Sequence, residues 1–245
     1  MNEFRNRIRP DWSSALNALL DRARATKSAV FAFDLDSTLF DNRARQARIL
    51  REFGLSQNIP SLARCEEKHW DSGWDMKAAM RSCGMSTSDV DKLYPAAKSF
   101  WQARFFTSEY CKDDTEIAGA AKFVHACLAT SATVTYLTGR HEGMREGTIE
   151  CLRRWGFPVP GAHVQLIMKP TLAEDDDSFK RDAHEGLKKL GTLVAAFDNE
   201  PTHANDYRRK FPEATVIHLA TDHSGRPVEL LEGIVSVPHF DTARA

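Results

Sequence analysis

The sequence predicts an α/β protein: a doubly wound parallel sheet with an α-helical unit inserted after its first strand. Short apolar runs recur at 29–33, 133–137, 164–168, 193–197 and 215–219. They read as strands buried on both faces of a parallel sheet. Segments of helical period lie between consecutive runs, as crossover connections require. The one long interruption, between the first and second runs, exceeds what a single crossover helix needs.

Taken in chain order, a helix starts after Pro10 and Asp11, with Trp12, Leu16, Leu19, Leu20 and Ala23 on one apolar face. The run at 29–33 is the first strand. Residues 43–112 hold no strand pattern but several helical stretches, punctuated by Gly54, Pro60, Gly73 and Gly84. A helix beginning at Ser86 must restart or kink at Pro95, which has no N–H to donate. Trp70, Trp74, Tyr94 and Trp101 are expected to build a small core for this segment. Beyond it, Met144, Thr148, Cys151, Leu152 and Trp155 form a helical stripe stopped by Gly156, and Ala183, Leu187 and Leu190 form another stopped by Gly191. The expected division is a core of residues 1–42 and 113–245 and a helical cap of residues 43–112. The acidic run 174–177 reads as a solvated turn.

Composition narrows the function. The 245 residues carry 33 Lys and Arg against 34 Asp and Glu, a net charge of −1, with 42% hydrophobic residues. This argues against a nucleic-acid-coating protein. No apolar run approaches the roughly 18 residues of a membrane span. Arg5, Arg7 and Arg9 precede Pro10, Asp11 and Ser13 rather than an apolar stretch, so no secretory signal is read and a cytoplasmic location is expected. The five cysteines lack any CxxC spacing and are expected to be reduced packing residues, not a disulfide framework or a structural zinc site. The nine histidines show no metal-ligand spacing. No P-loop or dinucleotide fingerprint occurs. Gly139, Gly143 and Gly147 lie among charged residues, which suits a closely packed or phosphate-proximal helix start.

The first strand ends in Asp34-Leu35-Asp36-Ser37-Thr38. Buried charge must be paired or metal-bound, and acids at the carboxyl end of a central parallel strand sit where ligands bind in open sheets. Turn formation or helix capping is the competing explanation. A period of two would put Asp34 and Asp36 on one face, unless a turn separates them. The second run ends in Thr138-Gly139-Arg140, read as a glycine turn at a helix start that offers N–H groups to a phosphate. The fourth ends in Asp198-Asn199-Glu200, with Pro201 suited to the next helix. Lys180 lies near the start of a helix, where its charge opposes the dipole. Alone, it reads as a surface ion-pair partner.

Together these four ordered motifs resemble those of the haloacid dehalogenase (HAD) superfamily, most closely its acid-phosphatase-like branch, in segments such as YLTGRHEGMREGT, FKRDAHEGLKKLG and FDNEP. The resemblance covers most of the chain outside the cap. It implies that Asp34 is a nucleophile forming an aspartyl-phosphate and Asp36 a general acid and base. Thr138, Gly139 and Lys180 would bind phosphate. Asp34, the Asp36 backbone carbonyl and Asp198 would hold Mg2+. An acid at position 36 favours phosphate-ester chemistry over dehalogenation, so the expected activity is hydrolysis of small soluble phosphate monoesters, without nucleic-acid or membrane partners. Phosphoryl transfer, or silent phosphate binding, is the alternative. Two departures stand out: Ser37 occupies a position where many members have Gly, and Asn199 one where several have an acid that Glu200 or Asp206 would have to replace. His141 and His203 follow strand ends and are left outside the catalytic set. Lys77, Arg81, Trp101 and Arg104 read better as a solvated face and its aromatic core than as substrate contacts. Asn42 and Arg43, near the core–cap junction, are better candidates.

Overall fold

The computed structural model describes residues 3–242. After α1 (Trp12–Ala25) comes β1 (Ala29–Phe33). Two short strands, β2 (Phe40–Asp41) and β3 (Thr115–Glu116), pair antiparallel and bracket a helical insert of α2 (Arg43–Ser56), α3 (Met76–Ser82), α4 (Thr87–Phe105) and α5 (Ser108–Cys111). The chain then runs through α6 (Ala120–Leu128), β4 (Thr133–His141), α7 (Arg145–Arg154), β5 (Val164–Lys169), α8 (Asp176–Leu190), β6 (Thr192–Asp198), α9 (Pro201–Lys210), β7 (Thr215–Leu219) and β8 (Val235–Val237).

Six strands form one sheet in the order β5-β4-β1-β6-β7-β8, and every pairing in it is parallel. Successive residues of a strand point to opposite faces, so β1 serves two cores at once. Phe31 and Phe33 pack with Leu16 of α1, Phe123 of α6 and Leu152 of α7, whereas Val30 and Ala32 pack with Leu187 of α8 and Ala204 and Tyr207 of α9. With helices on both faces, the strands show no polar alternation. The insert closes around a third cluster that includes Leu50, Phe53, Leu62, Trp70, Met80 and Val90. Among the described residues, no helix is long and apolar enough to cross a membrane.

Local expectation and tertiary structure part at four places. Strand β4 continues to His141, pairing there with Lys169, so Thr138-Gly139-Arg140 lies in the strand end and the α-helix waits until Arg145. Cross-strand hydrogen bonds extend the strand past its apolar run, and no local pattern announces them. Helix α4 runs through Pro95 without restarting. Trp74 is 66% exposed instead of joining the insert's core. The three-residue strand β8 is too short to carry a period.

Burial also fixes a pH dependence. His184 of α8 is 1% exposed, packs against Tyr207 and Phe211, and has no partner for Nδ1. Burial pushes its pKa from 6.5 down to about 4, and does the same to His218. A group depressed on folding contributes stability above its unfolded pKa and loses it as the pH falls through the folded one. The urea midpoint should therefore fall between pH 6.5 and 4, with each histidine contributing at most about 3 kcal/mol. His184→Phe should flatten that slope; an unchanged slope would show that this residue takes up its proton equally in the folded and unfolded chain.

Candidate active site at the carboxyl rim of the sheet

Because β4, β1 and β6 are adjacent and parallel, Thr138 to Arg140, Asp34 and Asp198 emerge at one rim. The Asp34 N–H donates to the Phe197 carbonyl at 2.9 Å, which sets Asp34 level with the end of β6. Lys180 comes from the opening turns of α8, whose first turn is fixed by the Asp175 carboxylate accepting from the Ser178 N–H. Its Nζ donates to Asp34 Oδ1 at 2.7 Å and to Asp198 Oδ2 at 2.8 Å. Residues 34, 180 and 198, far apart in sequence, thus meet in a buried triplet. His203 of α9 joins them, with Nδ1 3.2 Å from Lys180 Nζ and Nε2 2.8 Å from Asp177, which Arg226 also holds. His141 instead bonds the Phe106 carbonyl and the Gly143 N–H.

The charges of the triplet do not balance. Asp34 is 5% and Asp198 1% exposed, and one ammonium serves both. Burial, helped by Asp198 and opposed by Lys180, pushes the Asp34 pKa up to about 7. Against the cost of its own burial, Asp198 is held below the carboxylate range by Lys180 and His203. Lys180 is likewise held above its ordinary value by the two acids, despite burial. Surplus negative charge on oxygen ligands is the chemistry that suits a hard divalent cation, so the donor set fits Mg2+.

Asp36 lies in a different environment. The Leu35 carbonyl accepts from the N–H groups of Thr38, Leu39 and Phe40, and this tight turn separates the two acids. Asp34 joins Lys180, while Asp36 accepts from Arg45 Nη2 at 2.5 Å and from Arg140 Nε and Nη2 at 2.8 and 2.9 Å. Both arginines also bond Asp114, which is fully buried. Although burial opposes it, Arg140 and Arg45 hold Asp36 well below the carboxylate range. Asp114 is pushed up by burial to about 6, with the arginines pulling the other way. Arg45 belongs to the insert and Arg140 to the sheet. Neither was singled out from the sequence, although Arg140 stands in the TGR motif; nothing local marks Arg45.

A cavity of about 550 Å³ lies between rim and insert. Asp34, Asp36, Gly139, Lys180 and Asp198 line it, but Thr138 does not: its Oγ1 accepts from the Arg140 N–H at 3.2 Å. The opposite wall is aromatic, with Trp74, Tyr94, Trp101 and Phe105, and carries Lys98. Asn42 lines the cavity, whereas Arg43 pairs with Asp41 and Lys77 with Asp91. Asp222, beyond β7, latches the insert: its carboxylate accepts from Ser72 Oγ at 2.7 Å and the Gly73 N–H at 2.6 Å. A Cβ at Gly73 would come within 3.1 Å of Asp222 and 3.0 Å of Asn42 and Gln46, so glycine permits this approach. Asn199 is committed to Thr38 and the Asp222 carbonyl, Glu200 to Ser224 and Arg226, and Asp206 to Arg209.

The sequence matches no protein-family model and no curated protein. Among solved structures, the chain is similar to a HAD hydrolase of family IA, variant 3, from Entamoeba histolytica HM-1:IMSS, at 17% identity and a TM-score of 0.47, over 87% of this chain and 94% of that one. The class C acid phosphatase of Bacillus anthracis, solved with tungstate bound, is 15% identical with a TM-score of 0.46, over 79% of this chain and 62% of that one. A chain of the Pnkp1/Rnl/Hen1 complex is 13% identical with a TM-score of 0.45, over 78% of this chain and 46% of that one. This chain therefore spans less than two thirds of the last two.

Ser37, at a position where glycine is common in the resembling family, has φ 57°. That left-handed conformation strains a residue with a Cβ. Ser37→Gly should relieve it and raise stability by about 1 kcal/mol. A lower thermal midpoint would show that the serine side chain contributes more than its backbone costs.

Proposed function

We propose that this chain is a Mg2+-dependent HAD-type phosphatase that hydrolyses small phosphate monoesters through an aspartyl-phosphate on Asp34. The observation that carries this reading is the buried Asp34–Lys180–Asp198 triplet on the floor of an aromatic-walled cavity. Binding alone needs neither two buried acids nor the charge imbalance they create. Residues 43–112 would act as a cap that excludes water and contacts the leaving group.

In this reading an Asp34 carboxylate oxygen attacks phosphorus as the ester bond breaks, and the departing oxygen takes a proton. Water then attacks the phosphorus of the acyl phosphate, regenerating the Asp34 carboxylate and releasing inorganic phosphate. Lys180 offsets the repulsion between carboxylate and phosphate. Mg2+, held by Asp34, Asp198 and the Asp36 backbone carbonyl, would supply further positive charge at that point. Thr138 would act by bracing the Gly139–Arg140 backbone toward the phosphate. Trp74, Tyr94 and Trp101 favour a leaving group with a flat or apolar surface.

The first test is phosphate release from an aryl phosphate. Chelation should abolish it, Mg2+ should restore it, and Asp34→Asn should lower kcat by about 1000-fold or more while leaving the fold intact. Near-normal turnover by Asp34→Asn would remove the nucleophile, and with it the mechanism.

Asp36 carries a second expectation. Clamped by two guanidiniums, it is ionised and can deliver a proton only if substrate or cap movement draws an arginine away. Asp36→Asn should therefore cost less than about tenfold for a nitrophenyl ester, whose leaving group departs as an anion. For an alkyl phosphate it should cost roughly 100-fold or more. Equal losses on both substrates would mean that Asp36 positions groups and is not the acid.

A further inference from the structure

Away from the rim, the insert brings together three residues that the sequence reading left as packing residues or unassigned. Cys65, His69 and Cys83 present ligand atoms that all lie within 4.8 Å of one another, and among the described residues they are the only group of at least three His, Cys, Asp or Glu side chains to do so. Cys65 follows a short 3-10 turn, His69 ends the next, and Cys83 caps α3. Cys65 and His69 form a short Cys-x3-His step, but Cys83 follows fourteen residues later, so folding brings the third donor to the group. We infer that Cys65, His69 and Cys83 form a Zn2+ site in the helical insert, independent of the cation proposed for the rim.

The donor set has the softness zinc prefers, two sulfurs and an imidazole, whereas the rim offers oxygen. Two surrounding observations fit the site. The Trp70 indole N–H is buried without a hydrogen-bond partner in the same cluster as Cys65. Arg51 donates to the Cys65 carbonyl at 3.1 Å, which fixes the backbone that carries this sulfur.

His69 Nδ1 accepts from the Glu66 N–H at 2.9 Å and lies 3.2 Å from the Glu66 carbonyl oxygen. Ligation through Nε2 requires the ring proton to move to Nδ1, which exchanges the bond accepted from the Glu66 N–H for one donated to the Glu66 carbonyl. A backbone carbonyl commonly orients metal-bound histidines in this way. On binding, each thiol gives up its proton as its sulfur bonds the ion, so two protons leave per Zn2+. Three protein ligands leave the fourth tetrahedral position to water.

The consequence is structural. Cys65 and His69 stand before, and Cys83 after, the stretch containing Ser72, Gly73, Trp74 and Met76, which meets Asp222 and forms one wall of the cavity. An ion clipping the ends of that stretch removes loop freedom and steadies the wall.

The experiment uses the full chain and Co2+ as a spectroscopic probe, with Zn2+ as competitor. Reduced protein should take up Co2+ with thiolate-to-cobalt charge-transfer absorption and intense tetrahedral d–d bands, both erased by an equivalent of Zn2+. An oxygen-ligated ion at the rim gives no thiolate band, so Asp34→Asn should leave the spectrum unchanged even if the phosphatase reading fails. Cys83→Ser should cut the charge-transfer intensity by about half and, like His69→Ala, weaken Co2+ affinity at least tenfold. Both side chains are partly exposed, and circular dichroism verifies the fold of each variant. Zn2+ should also protect the partly exposed Cys83 thiol from an alkylating reagent in wild type. Absence of the thiolate band in folded, reduced protein would overturn the site. So would ready oxidation of Cys65 and Cys83 to a disulfide that proceeds equally fast with Zn2+ present.

Discussion

Two carboxylates removed from solvent and joined by one ammonium constrain everything at the rim. Asp34 and Asp198 are buried, and Lys180 bonds both. Burying an ion costs several kcal/mol unless its partner is well placed. The placement comes from the scaffold. Parallel β1 and β6 end level with each other, and α8 returns across the sheet to deliver Lys180 between them. Burial, with Asp198 beside it, raises the Asp34 pKa to about 7 in spite of Lys180. His203 and the Asp177–Arg226 pair stand beside the triplet.

A second ionic cluster does the opposite. Asp36 and Asp114 face Arg45 and Arg140, so its charges balance. It joins four stretches of chain: the turn after β1, helix α2, the return from the insert and the end of β4. Removing one member of such a buried network leaves another charge unpaired, typically at about 3–5 kcal/mol. Arg45 also donates to the Phe105 carbonyl and stacks on the Phe105 ring, which ties the end of α4 to the same point. The position of the insert and the ionisation of Asp36 are therefore linked through one guanidinium. Only Leu35 separates the unbalanced cluster from the balanced one, and the turn built on its carbonyl keeps them apart.

The insert contributes to the rim in two chemically different ways. Its aromatic side chains form the far wall of the cavity, while Ser72 and Gly73 present polar groups to Asp222. The exposure of Trp74 follows from this arrangement. Trp74 lines the open mouth of the cavity, where two thirds of it stays accessible to solvent. A sequence pattern that assigns tryptophans to cores has no means of telling a cavity wall from a core.

By itself the sequence determined the alternation of strands and helices, because burial on two faces writes itself into unbroken apolar runs. It also determined that Asp34 and Asp198 stand at strand ends, because charge cannot sit inside those runs, and that Lys180 lies in the opening turns of a helix. Only the tertiary structure decided which neighbours those charges have. Asp34 and Asp36, two positions apart, part company because a turn follows the strand, a choice that their spacing left open. The partners of Asp36 lie 9 and 104 positions away, and one is an arginine on an ordinary-looking helix. Cys65, His69 and Cys83 meet only when α3 folds back on the preceding turns. Periodicity is a property of neighbouring residues, whereas ionisation and ligation depend on groups brought close by folding, and for these the distance along the chain carries no information.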